Sequence, residues 1–323
     1  MDWHAAGLRR LDGIIWALVA GVAAVVLLAA AVDGFSIWLT SFVGPGVTCL
    51  LLVAGARYYA ATRDEPHLAS ALQTTAQLMA FAAVAAPLSY VAAAAAFPLR
   101  DAAFNGLDQA LGLHWRGLLA LMERWPALHG VMRAIYMSMM PQMAAVVLLL
   151  GFTGRLAWLR VYMLAFVFAA LITIAVSAFA PAEGVWLHDS IKNADPALLP
   201  VSHASWPVFL GLRDGSVRAL MAMGAEGIIT FPSLHAALAV ILIAAFWPVP
   251  IARWLAAGLN SLMLVATPID GSHYFVDVFA GVGIAIVSLL MARALVARLA
   301  AHPALAKAAL AVEPVQGMPA TSR

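Results

Sequence analysis

Two histidines and one aspartate, His235, His273 and Asp277, stand beside long apolar runs between residues 227 and 281. Ionisable groups at the edge of a membrane span are costly to keep and usually serve a function. His273 and Asp277 are four residues apart, so on a helix they share a face. An aspartate so placed accepts from one imidazole nitrogen and thereby fixes the tautomer and basicity of the other. His235 follows Phe231-Pro232-Ser233-Leu234. Proline suits the first position of a helix, which predicts a helix opening at Pro232. The amides of residues 233–236 would then face outward as an anion site. An anion-binding helix start, a His–Asp pair and a second histidine together suggest phosphoryl transfer.

The elements that must position these residues are apolar helices. The chain has 323 residues, of which 64% are hydrophobic and 11% charged. A soluble domain carries roughly twice that charged fraction. With a mean hydropathy of +0.93, the chain reads as an all-α, polytopic membrane helical bundle. The net charge of +2 comes with no basic block, so a nucleic-acid partner is not expected. The single cysteine, Cys49, excludes an intrachain disulfide and a cysteine-based metal site.

About eight spans are expected, with starts near Ile14, Phe35, Leu68, Val131, Val161, His235, Ala252 and Tyr274. The sixth and seventh look short against the roughly 20 residues a bilayer needs. Residues 99–130 do not span. Leu111, Leu113, Trp115, Leu118, Leu119 and Met122 alternate there with Arg116, Glu123 and Arg124, as suits a segment lying in the interface. Residues 1–130 thus hold the N-terminal spans and an interfacial segment, residues 131–300 hold the core with the histidines, and residues 301–323 form a mobile tail. Gln73, Thr74 and Gln77 read as helix–helix hydrogen bonding. Packing is also the better reading of Tyr136, Ser138 and Gln142, although these could line a headgroup pocket. The long polar stretch 181–229 suits a lid or binding element, with a short helix expected from Arg213 to Met223.

The paired motifs resemble those of the type 2 phosphatidic acid phosphatase superfamily, especially its branch near the inositol phosphorylceramide synthases. That family carries a P-S-G-H-type motif and, on the next helix but one, H-x-x-x-D. This chain has Pro232-Ser233-Leu234-His235 and His273-Tyr274-Phe275-Val276-Asp277. The resemblance implies a phosphohistidine route: His273 as nucleophile, Asp277 as its orienting partner, and His235 as the acid that protonates the leaving oxygen. It implies a membrane lipid substrate (a phospholipid, sphingolipid or isoprenoid phosphate), no metal and no cofactor. The phosphatase members also carry K-x-x-x-x-x-x-R-P before the second motif, and Ser-Arg shortly before the nucleophilic histidine. The first string is absent here, and Thr267-Pro268 stands in place of the second. A phosphate clamp would then come from elsewhere. Ser233 with Arg213 and Arg218 are the candidates, Lys192 being a further cation nearby. The pattern Asp101, Asp108, Leu111-Gly112 and Trp115 is similar to bacterial members of the superfamily. No function is carried over from it.

Placing the N-terminus in the cytoplasm puts Arg9, Arg10, Arg57, Arg63, Arg155, Arg160 and Arg253 inside with the C-terminal cations. Arg100, Arg116, Arg124, Arg133, Lys192, Arg213 and Arg218 fall outside, mostly in two long segments. Short loops govern the positive-inside rule. Both termini are therefore expected in the cytoplasm of a bacterial-type inner membrane, with both motif histidines on the periplasmic face. The other readings are a proton-coupled transporter or flippase and an inactive lipid-binding homologue. Aspartate in mid-span is the mark of transport, and Asp277 lies only at an end.

Overall fold

The structure is a computed structural model that describes residues 3–188 and 200–300. Helix α1 (Trp3–Asp33) is followed by a short strand β1 (Ser36–Ile37), then α2 (Leu39–Ala61) and α3 (Pro66–Ala94). Three amphipathic helices come next: α4 (Asp101–Ala110), α5 (Trp115–Arg124) and α6 (Pro126–Met137). Then come α7 (Met139–Phe152), α8 (Leu156–Phe179), α9 (Val185–His188) and α10 (Pro200–Asp214). Strand β2 (Ala219–Leu220) precedes the last three helices, α11 (Leu234–Phe246), α12 (Pro250–Asp270) and α13 (Phe275–Ala300).

Helix α8 is the centre of the bundle. It is apolar all round, and such a helix belongs in a core rather than at a surface. It packs against α1, α3, α7, α11 and α13. Its Met163, Leu164 and Val167 are fully buried together with Ile241 and Leu242 of α11 and Ala285 of α13. Helix α2 is the opposite case. It leans on α3 and turns Leu39, Val43, Val47, Leu50 and Leu51 outward, as a lipid-facing helix does.

Five described helices are long and apolar enough to cross a membrane: α1, α2, α3, α8 and α13. The pair α6 and α7 makes a sixth candidate, bent by 42° at Ser138. Ser138 folds its hydroxyl back onto the Ile135 carbonyl at 2.6 Å, the kind of back-bonding that bends helices. The expected eight spans therefore reduce to five or six by length and apolarity. The other two correspond to α11, which has only 13 residues, and to α12, whose buried face carries Asn260, Thr267 and Asp270. The all-α polytopic bundle stands.

Smaller expectations shift as well. The helix expected over 213–223 lies upstream as α10, and Ala219–Leu220 instead pair in parallel with Ser36–Ile37. Helix α11 opens at Leu234 rather than Pro232, because Ser233 takes the N-cap and its Oγ accepts from the Ala236 amide at 3.3 Å. A serine oxygen that satisfies a first-turn amide outcompetes the proline preference. Gln77 donates to the Asp12 carboxylate at 3.2 Å, as helix–helix hydrogen bonding requires. Lys192 and the tail 301–323 lie outside the described residues, as do the side chains of His188 and His203.

Candidate active site

Both motifs meet at one end of the bundle, and a glycine allows it. A Cβ on Gly281 would lie 2.3 Å from the Ser233 carbonyl oxygen and 3.0 Å from Ala236 Cβ. Only a residue without a side chain lets the first turns of α13 and α11 approach so closely. The Ser233 amide then donates to the Asp277 carbonyl at 3.1 Å, tying the start of one helix to the start of the other.

This contact sets His273 between two oxygens. Asp277 Oδ2 lies 3.2 Å from Nδ1, and Ser233 Oγ lies 3.2 Å from Nε2. The carboxylate accepts, so Nδ1 carries the proton and Nε2 presents its lone pair to the serine hydroxyl. All three side chains are buried. Burial pushes the His273 imidazole down to about 4, with the Thr230 carbonyl pulling weakly the other way. His273 is thus the free base at neutral pH, which is the form a nucleophile needs.

His235 is half-buried at the first turn of α11. Its ring stacks on Tyr136 of α6, with centroids 4.3 Å apart and planes within 12°. It lies within electrostatic range of His273. The Tyr136 hydroxyl sits 3.0 Å from where a Gly271 Cβ would be, and His273 Cδ2 sits 2.6 Å from the same point. Tyr136 therefore touches the surroundings of both histidines.

Next to Gly271, Asp270 Oδ1 accepts from His129 Nε2 at 3.2 Å, and Arg133 lies within electrostatic range of the same carboxylate. His129, Arg133 and Tyr136 lie at i, i+4 and i+7 on α6, so they share the face turned to α12. The sequence carried that spacing, yet it does not reveal which partner the face meets. Tyr136 thus belongs to the site, whereas Ser138 and Gln142 are packing residues. Gln142 Nε2 donates to Ser138 Oγ at 2.9 Å, and its carbonyl accepts from Asn260 at 2.7 Å.

The expected clamp arginines stand apart from this group. Arg213 donates to the Phe97 carbonyl at 2.9 Å, its guanidinium 5.4 Å from the Phe209 ring centroid. Arg218 places its guanidinium 4.9 Å from the Phe35 ring centroid, beside the β1–β2 pair. Among the described residues no hydrogen bond or ion pair joins either guanidinium to Ser233, His235 or His273. Two of the four amides expected to face an anion, those of Ser233 and Ala236, are engaged within the protein. Those of Leu234 and His235 are the first-turn amides that helical geometry leaves without an intrahelical acceptor.

An apolar bundle with an imidazole held as free base beside a second histidine at a helix start defines a membrane protein of the phosphatase type. The chain belongs to the PAP2 superfamily, whose sequence profile matches residues 102–291, more than half of the molecule. That span runs from α4 through most of α13 and contains both motifs. No curated protein and no solved structure gives a match.

Proposed function

We propose that this protein is an integral membrane lipid phosphatase or phosphotransferase that works through a phosphohistidine. The observation that carries the reading is the buried chain Asp277–His273–Ser233 with His235 beside it. In the first half-reaction His273 Nε2 attacks the phosphorus of a lipid headgroup. The N–P bond forms, the bond to the leaving oxygen breaks, and His235, protonated only beside the negative charge of the bound phosphate, gives that oxygen its proton. Ser233 turns its hydroxyl from Nε2 to a non-bridging oxygen, joined by the Leu234 and His235 amides. In the second half-reaction water or a lipid alcohol gives a proton to His235 and its oxygen to phosphorus, and the electron pair returns to Nε2. Such catalysis needs positioning and charge stabilisation more than covalent chemistry from further groups.

Transfer in the manner of the inositol phosphorylceramide synthases is the finer reading, supported by Thr267-Pro268 and by the missing K-x-x-x-x-x-x-R-P string. Arg133, one helical turn from Tyr136 and near Asp270, is the cation best placed for the phosphate, ahead of Arg213 and Arg218. The short basic loops favour a periplasmic site with both termini in the cytoplasm.

The test is a purified chain incubated with radiolabelled phospholipid, sphingolipid and isoprenoid phosphates. An acid-labile phosphoenzyme that disappears in His273→Ala is expected. Turnover without one, or labelling that survives His273→Ala, overturns the route.

The same three residues also form a Ser–His–Asp hydrogen-bonded sequence, the geometry of a serine nucleophile with its base and orienting acid. Ser233→Ala separates the two readings. It leaves the phosphohistidine route slowed by about 100-fold, and it abolishes any route in which the serine attacks. The commitment of Ser233 Oγ to capping α11 favours the histidine.

A further inference from the structure

The segment Pro268–Val276, which carries His273, is held from outside by the interfacial helices α4 and α5. Asp108 of α4 accepts from the amides of Phe275 at 2.8 Å and Val276 at 3.0 Å, one with each carboxylate oxygen. Asp101, at the start of α4, accepts from the Tyr274 hydroxyl at 3.0 Å. The same carboxylate takes the amides of Glu183 and Gly184 at 3.1 and 3.0 Å. Trp115, at the start of α5, donates its indole N–H to the Pro268 carbonyl at 2.8 Å. The Phe104 ring stacks on Phe231, which precedes the first motif, at 4.1 Å, and approaches Tyr274, which follows His273, at 6.0 Å. Every one of these four α4–α5 side chains is buried.

The first amides of a helix have no partner within it. At the start of α13 three such amides need acceptors, and two aspartates divide them. Asp277 Oδ2 takes the Tyr274 amide at 2.9 Å and also faces His273 Nδ1. Asp108 takes the other two. Without Asp108, the Phe275 and Val276 amides would compete for the Asp277 carboxylate, which already takes the adjacent Tyr274 amide. Its oxygens would then turn toward the helix start and away from the imidazole. Burial holds the Asp108 carboxyl above its ordinary range, opposed by the same two amides. The bonds are therefore formed away from water, where leaving them unmade is costly.

We propose that Asp108 is a positioning residue for phosphoryl transfer: it occupies the α13 amides so that Asp277 stays aimed at His273, with Asp101 and Trp115 fixing the same segment. This rests on His273 acting as the nucleophile. Asp108 touches neither substrate nor reacting atom in that scheme, so its loss acts on rate rather than on substrate capture.

The experiment compares full-length Asp108→Ala, Asp108→Asn and the unsubstituted chain in detergent, with a soluble short-chain lipid phosphate as substrate. Asp108→Ala is expected to lower kcat by about 100-fold, the scale of a misplacement near 1 Å, with KM changed less than about threefold. Asp108→Asn keeps an acceptor and restores at least about tenfold of that loss. Two measurements need no turnover. Amide exchange at Phe275 and Val276 should accelerate in Asp108→Ala and less in Asp108→Asn. The rate of His273 acylation by diethyl pyrocarbonate should rise in step. An unchanged kcat per folded molecule, or a loss in which KM rises as much as kcat falls, overturns the proposal. So does an unchanged His273 acylation rate, even if the chain proves inactive on every lipid phosphate. That last outcome, no turnover in the unsubstituted chain, counts against the phosphoryl-transfer reading, while the exchange and acylation rates still decide the role of Asp108.

Discussion

Two of the polar clusters among the described residues lie at opposite ends of α8. At the far end Arg160 donates to Asp12 at 2.8 Å and to Ser70 at 3.0 Å, and Gln77 reaches the other oxygen of Asp12. At the candidate site Asp101, Asp108 and Asp277 instead accept from backbone amides, a tyrosine and an imidazole. In the first cluster cation and anion satisfy each other, and the result is adhesion between α1, α3 and α8. In the second, the carboxylates take their hydrogen bonds from the fold itself, with Asp277 Oδ1 left unpartnered among the described residues. The free nitrogen of His273 then faces a serine hydroxyl, and His235 stacks on an aromatic ring. Buried charge alone therefore does not mark chemistry. What marks it is a base whose partner can be displaced.

The widest separation between the clusters should come from removing one key side chain in each. His273→Ala should lower turnover by about 10³-fold or more and leave the thermal unfolding midpoint within a few degrees. Arg160→Met should do the reverse. It strands the Asp12 carboxylate and costs on the order of 3 kcal/mol, read as a lower unfolding midpoint, with unchanged activity per folded molecule. Lost activity without lost stability in Arg160→Met would erase the distinction. Gly281→Ala forces α13 off Ser233 and should cost about 2 kcal/mol, together with about 100-fold in kcat. Unlike the other two, this substitution would damage stability and chemistry alike.

Acidity gives a gentler test. The nucleophile must be unprotonated, and burial lowers the His273 imidazole to about 4 from 6.5. Activity should fall as pH drops through about 4, and an acid limb near 6.5 would mean that the site is wetter than the structure. The smallest effect is expected from Tyr136→Leu, which removes the stack on His235. A loss of roughly threefold to tenfold in kcat/KM is expected for an aromatic contact worth about 1 kcal/mol.

The residues legible in the sequence were those whose meaning is local. His273 and Asp277 sit four apart, and the Pro-Ser-Leu-His string precedes an apolar run, so spacing pointed to the chemistry and the family resemblance supplied the roles. The serine cap was local too, yet proline preference obscured it by two residues. What was not legible depends on partners far along the chain. Asp108 meets Phe275 across 167 residues, and His129 meets Asp270 across 141. Neither pair leaves a periodic trace. The stretch containing Asp101, Asp108 and Trp115 stood out as a pattern, but its purpose required the orphan amides at the start of a helix not yet placed. Two of the expected spans stand below the length and apolarity of the rest for a similar reason. Helix α12 turns a polar face inward, where other helices satisfy it, and α11 is simply short.

That shortness reaches beyond the protein. Thirteen residues of α11 rise about 20 Å, against about 30 Å of hydrocarbon. The histidine at its mouth cannot reach the headgroup plane while the other end of the helix stays at the opposite surface. Either the surrounding lipid thins or water dips into a recess above it, each at a small cost per ångström of mismatch. Under the proposed phosphoryl transfer, acyl-chain length in the host membrane would then set how far a phosphate must sink to react.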